Sequence, residues 1–164
     1  MRNIALAILA VVMASIVIQP LVELANLFRE KVTVSSAVSN ALRAARDRSL
    51  EYELLRGLDA RVDAEVFKDY FADAFEDTLN LTQSGNSGDT VTFSSNDGKF
   101  NDFTVSFGFA ENTDLNGRVV TQVDVEARAD YKFKTKALQL AEQAGSSGEV
   151  ELISGRTYVL SVRN

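Results

Sequence analysis

A chain of 164 residues suits one domain plus an anchor, and a formal net charge of −6 leaves no basic footprint for nucleic acid, whose counterions only clustered lysine and arginine displace. There is no cysteine and no histidine, which removes disulfides, thiolate chemistry, the commonest general base and the commonest transition-metal ligand together.

The first element is an apolar run over 4–18, relieved only by Ala14 and Ser15. It carries Ile4, Leu6, Ile8, Leu9, Val12, Ile16 and Ile18. Leu21 and Val22 extend it past Gln19 and Pro20. As a helix, residues 4–22 reach ~28 Å, about the hydrocarbon thickness of a bilayer. Apolar side chains surround the whole helix, as lipid requires. No small-x-small cleavage site follows, since Glu23–Leu24–Ala25 puts an acid at the outer small position. An uncleaved signal anchor over 1–28 is therefore expected, in preference to a cleaved signal or a buried helix. Arg2 and the free amine favour a cytoplasmic N-terminus, while Arg29 and Lys31 lie on the other flank. The acidic, Gly/Asn/Ser/Thr-rich body resembles a secreted surface, so the expected orientation is N-in and C-out. Pro20 is expected to kink the helix or to end it at the interface.

The helical pattern continues over 29–58, with Val38, Ala41, Leu42, Ala45, Tyr52 and Leu55 on one stripe and Gly57 as a stop. Residues 32–36, rich in β-branched and hydroxyl side chains, are expected to bend or loosen it. Asp63 is the expected N-cap of a second helix over 63–80. Its stripe of Val66, Phe67, Tyr70, Phe71, Ala74 and Phe75 reads as core.

Residues 82–90 read as a polar loop, and the period then changes to that of strands over 91–163. A short strand over 91–95 precedes a turn at Asp97–Gly98, and Phe103, Val105, Phe107 and Phe109 alternate with small or polar residues. Over 119–133 the alternation is clearest. Val119, Thr121, Val123, Val125, Ala127, Ala129, Tyr131 and Phe133 share one face, and charged or amide side chains share the other. Residues 134–144 read as a helical turn or short helix. Segments 149–153 and 156–162 read as a hairpin across Ser154–Gly155. The expected fold is α+β, with both helices on one face of a four- to five-stranded antiparallel sheet.

The chemistry on offer is thin. Asp59, Asp63, Asp69, Asp73, Glu76 and Asp77 read as a solvated helix face rather than as paired catalytic acids. No G-x-S-x-G elbow, S-x-x-K pair, P-loop or dinucleotide fingerprint occurs, so no enzyme, small-molecule substrate or organic cofactor is expected. Asn112, Asp114 and Asn116, followed by Gly117, match the first half of a calcium loop. Val123 stands where the closing glutamate belongs, and the competing reading is a polar Asn116–Gly117 turn.

A hydrophobic N-terminal helix continued into an amphipathic helix on an antiparallel sheet resembles type IV pilins and pseudopilins, in particular TadE-like minor pseudopilins. The resemblance is carried by residues 4–18, Pro20, the stripe over 38–55 and the alternating strands from 91 onward. Two features differ from the family: no glycine precedes Ile4, and the acid nearest the membrane segment is Glu23. The resemblance implies a single-pass subunit of the cell membrane, with its C-terminal domain extracytoplasmic. Its helix would be stored in the bilayer and packed against other copies or related subunits in a filament or secretion assembly. Residues of that helix, from Ile4 through Pro20 to Glu23, would form the membrane and assembly site. A single-pass anchored binding or sensor domain of a cell-surface complex is the alternative.

Overall fold

The structure is a computed structural model and describes residues 2–49, 62–113, 119–145 and 150–159. Helix α1 runs unbroken over Arg2–Ser49, 48 residues or ~70 Å. Pro20 lies inside it, so the helix does not end at that residue. Nor does it loosen at 32–36. Thr33 Oγ1 donates to the Arg29 carbonyl and Ser39 Oγ to the Ser35 carbonyl, each at 2.9 Å, so these hydroxyls bond back along the helix. Val34 is buried against the domain, and that packing outweighs weak local propensity. The rest of the expected helix, with Tyr52, Leu55 and Gly57, lies outside the described residues.

Helix α2 spans Ala64–Leu79. The Asp63 carboxylate caps it, accepting from the backbone N–H groups of Glu65 and Val66 at 2.9 and 3.1 Å. Asn80, in the left-handed conformation at φ 54°, ends it. Five antiparallel strands follow in the order β1-β2-β3-β4-β5, each beside its neighbour in sequence. They are β1 (Leu81–Ser87), β2 (Thr90–Ser95), β3 (Phe103–Thr113), β4 (Val119–Asp130) and β5 (Glu151–Val159). A short helix, α3 (Lys136–Gln143), lies between β4 and β5.

Two expectations fail in instructive ways. The segment over 82–90 is not a loop: β1 occupies most of it, and the turn is confined to Gly88–Asp89, with Gly88 at φ 61°. β1 is an edge strand that, beyond buried Leu81, is largely exposed on both faces, so it lacks the alternation that would reveal it. Its hold is backbone pairing to β2, interrupted by an irregularity between Gln83 and Gly85. The second failure is at Ser154–Gly155, which is not a turn. β5 runs straight through it and pairs with β4 from Glu151↔Asp130 to Val159↔Gln122, with Ser154 opposite Ala127 and Gly155 opposite Glu126. Leu152 and Ser154 are buried while Glu151, Ile153 and Gly155 are exposed, so the two-residue period is intact across the pair. The sheet therefore holds five strands because β1 is gained and the two expected C-terminal strands merge into one. β4 itself ends at Asp130 rather than 133, although Tyr131 and Phe133 stay buried beyond it.

Both helices pack on one face of this sheet, α1 against β5 and α2 against β1 and β2. Ala37, Val38, Ala41, Leu42 and Ala45 of α1 meet Phe67, Phe71 and Phe75 of α2 over Val91, Phe93, Phe103, Val105, Phe107, Val123 and Val125. Phe71 packs edge-on to Phe107, and Phe75 edge-on to Phe103, at centroid distances of 5.1 and 5.7 Å. A smaller cluster, Tyr131, Phe133 and Leu152 with Leu27 and Leu138, closes the end of the domain nearest the apolar helix.

Candidate membrane and assembly helix

Ile4, Leu6, Ile8, Leu9, Val12 and Ile18 project from α1 with nothing covering them, and Pro20 is exposed among them. The side chain of Ile16 lies outside the described residues. In water each large aliphatic side chain of this run forgoes about 2 kcal/mol of burial. Among the described residues, α1 is the one helix long and apolar enough to cross a membrane.

Glu23 behaves differently from the rest of the expected site. It is only 5% exposed and faces the domain. Its Oε1 accepts from the Tyr131 hydroxyl at 2.8 Å and the Lys134 backbone N–H at 2.7 Å, and its Oε2 accepts from the Thr135 N–H at 2.9 Å. Burial pushes this carboxyl up. The Lys134 N–H, the Tyr131 hydroxyl and Thr135 together outweigh that and hold it below the ordinary carboxylate value. Burial, and then the hydrogen bond to Glu23, push the Tyr131 phenol well above its usual range. Seven residues on, Glu30 repeats the pattern, with Oε1 3.0 Å from Lys134 Nζ. Two helical turns separate the two glutamates, so both lie on the face that continues into Val34, Ala37 and Val38. The helix is thereby fastened to the domain from the first residue after the apolar run. The periodicity from Glu23 through Glu30 to Ala37 was the available signal, but two acids beside an apolar run read more readily as solvated.

The opposite face of α1 stays open beyond the apolar run. Leu24, Phe28 and Val32, spaced by four, are 46%, 60% and 66% exposed.

The remaining candidates are dispersed. Asn112 lies in β3, its amide donating to Gln122 Oε1 at 3.3 Å, while Asp114 and Asn116 are outside the described residues. Among the described residues no three His, Cys, Asp or Glu side chains gather as a metal site. Of the helix-two acids, Asp63 is the cap, Glu76 accepts from the backbone of Gln83, and Asp69, Asp73 and Asp77 are exposed. Asp59 lies outside the described residues.

These features define a class: an α+β domain carried on a single helix able to cross a bilayer. No protein-family model matches the chain, and no curated protein or solved structure matches it either.

Proposed function

We propose that this chain is a membrane-anchored extracytoplasmic structural or assembly subunit, pilin- or pseudopilin-like in architecture. Residues 4–22 store it in the bilayer with the N-terminus inside and the domain outside, and α1 then packs against other copies or related subunits. The observation that supports this most is the open stripe of Leu24, Phe28 and Val32. Val32 lies ten residues past Val22, or ~15 Å beyond the hydrocarbon boundary. A simple tether needs no apolar helix face at that height, whereas a neighbouring helix does. Inside the bilayer the same contact is decided by close packing rather than by hydrophobicity.

The chain has no cysteine, so single replacements report contacts without background. Val12→Cys, Phe28→Cys and Val32→Cys are each expected to give oxidant-induced dimers in cell membranes. Thr104→Cys, exposed on β3, serves as the comparison. Dimer yields at the helix positions no higher than at Thr104 would remove the assembly reading. A stable one-to-one complex with a different membrane protein would select the anchored binding domain in its place.

A further inference from the structure

β4 runs toward the apolar helix and β5 runs away from it, so residues 131–145, which follow β4, lie at the end of the domain nearest that helix. Glu23 fixes its height: the Lys134 and Thr135 N–H groups bond to a carboxylate one residue past the apolar run. Beside it lies an open cleft of about 490 Å³, lined by Arg29 and Glu30 of α1, Lys99 and Phe100 of the β2–β3 connection, and Lys132 and Lys134. Four of its side chains are cationic and one is anionic, in a chain whose net charge is −6. Glu30 is matched by Lys134. The Lys132 ammonium is held at the rim by the Gly98 carbonyl at 2.6 Å, and Lys99 rests over the Phe100 ring at 5.1 Å. Among the described residues Arg29 has no side-chain partner. The acids of this end, Asp97, Asp102, Asp130 and Glu151, do not line the cleft. Arg29 stands seven residues, or ~10 Å, past Val22, at the depth of lipid headgroups and about one Debye length from the surface. Next to it α3 carries Leu140, 64% exposed, with Lys136 at its first turn.

We infer that this end of the domain docks on an anionic lipid surface. Arg29, Lys99 and Lys132 take the headgroup phosphates, and Leu140 of α3 enters the interface beside them. The inference rests on the proposed single span over residues 4–22. Charge decides the partner: the cations face the one surface the span brings within reach, and anionic lipid makes the potential there negative and attracts them. A soluble polyanion would meet the same net negative charge without the span to hold it at this end.

The absence of tryptophan supplies the experiment. The full chain, carrying either Val12→Trp or Leu140→Trp, is placed in vesicles of phosphatidylcholine with or without phosphatidylglycerol, with brominated lipids as depth-dependent quenchers. Val12→Trp is expected to be quenched by deep bromines in both compositions. Leu140→Trp is expected to be quenched by shallow bromines, and more strongly with phosphatidylglycerol. Adding R29Q and K99Q, neither of which removes a hydrogen bond within the domain, should lower the docked-to-undocked ratio on the order of tenfold. Those replacements should leave Val12→Trp unchanged. Quenching of Val12→Trp without quenching of Leu140→Trp overturns the docking but keeps the span. Quenching of Leu140→Trp that ignores lipid charge, or that is abolished by soluble polyphosphate at constant ionic strength, overturns the lipid headgroup as the ligand. Failure to quench either probe overturns the span itself.

Discussion

Glu23 concentrates three intramolecular hydrogen bonds on one carboxylate. Glu23→Ala leaves the Tyr131 hydroxyl and two backbone N–H groups without an acceptor and should cost about 3 kcal/mol, while Tyr131→Phe should cost about 1 kcal/mol. Thermal unfolding in nanodiscs followed by circular dichroism measures both. The direction of the Glu23 shift also sets a pH response. Its folded pKa lies below the ordinary value, so the stability it contributes is fully present above about pH 4.5 and is lost as pH falls through the folded value. Tyr131 acts in the opposite sense. Its raised pKa contributes stability that is intact below about pH 10 and fades as pH rises beyond that. Glu23→Gln should abolish the acid-side loss attributable to this group. An unchanged acid profile in that variant would place the pH dependence elsewhere. None of this seat was legible in the sequence, because Tyr131 and Glu23 stand 108 positions apart and no local pattern joins them.

At the level of elements, legibility followed the two-faced environment. β4 separates buried Val123 and Val125 from half-buried Asp124 and Glu126, and its alternation says so directly. α2 declared itself through its Asp63 cap and phenylalanine stripe. β1 stayed hidden because, beyond buried Leu81, its edge position leaves it largely solvated and without an apolar period. β5 was misread because Ser154–Gly155 has the residue types of a hairpin turn, yet the pairing to β4 that keeps it extended is nonlocal. The face assignment of β4 yields a direct comparison. Val123→Asp buries an unpaired charge and should cost several kcal/mol, about the margin of a small domain. Asp124→Lys, on the outer face, should cost about 0.5 kcal/mol or less. Chemical denaturation of the two variants should separate their midpoints widely, and equal shifts would mean the strand does not have one buried and one solvated face.

The whole molecule joins what the sequence presented as separable parts, an anchor over 1–28 and a domain over 29–164. The apolar run was plain from its length, but the boundary was not, since Glu23 and Leu27 belong to the packing of the domain. A chain trimmed to begin at Val22 keeps the Glu23 seat and the Leu27 contact, whereas one trimmed to begin at Glu30 loses both. The longer version should unfold in one transition at a midpoint roughly 10 °C above the shorter, as expected for about 3 kcal/mol in a domain of this size. Equal midpoints in calorimetry would show that the seat adds nothing to the cooperative unit.

Because α1 passes from residue 2 to residue 49 without an interruption and is fastened at Glu23 and Glu30, the domain cannot swivel on its tether. With the proposed span over residues 4–22 in a bilayer, it would behave as a lever with its fulcrum there. Ser49 stands ~40 Å beyond Val22, so a 10° change in tilt of the span, within the ordinary range for membrane helices, sweeps the far end of the domain through ~7 Å. In the proposed membrane-anchored state, bilayer thickness and any neighbouring helices, which set that tilt, would thereby aim the far surface of the domain from below.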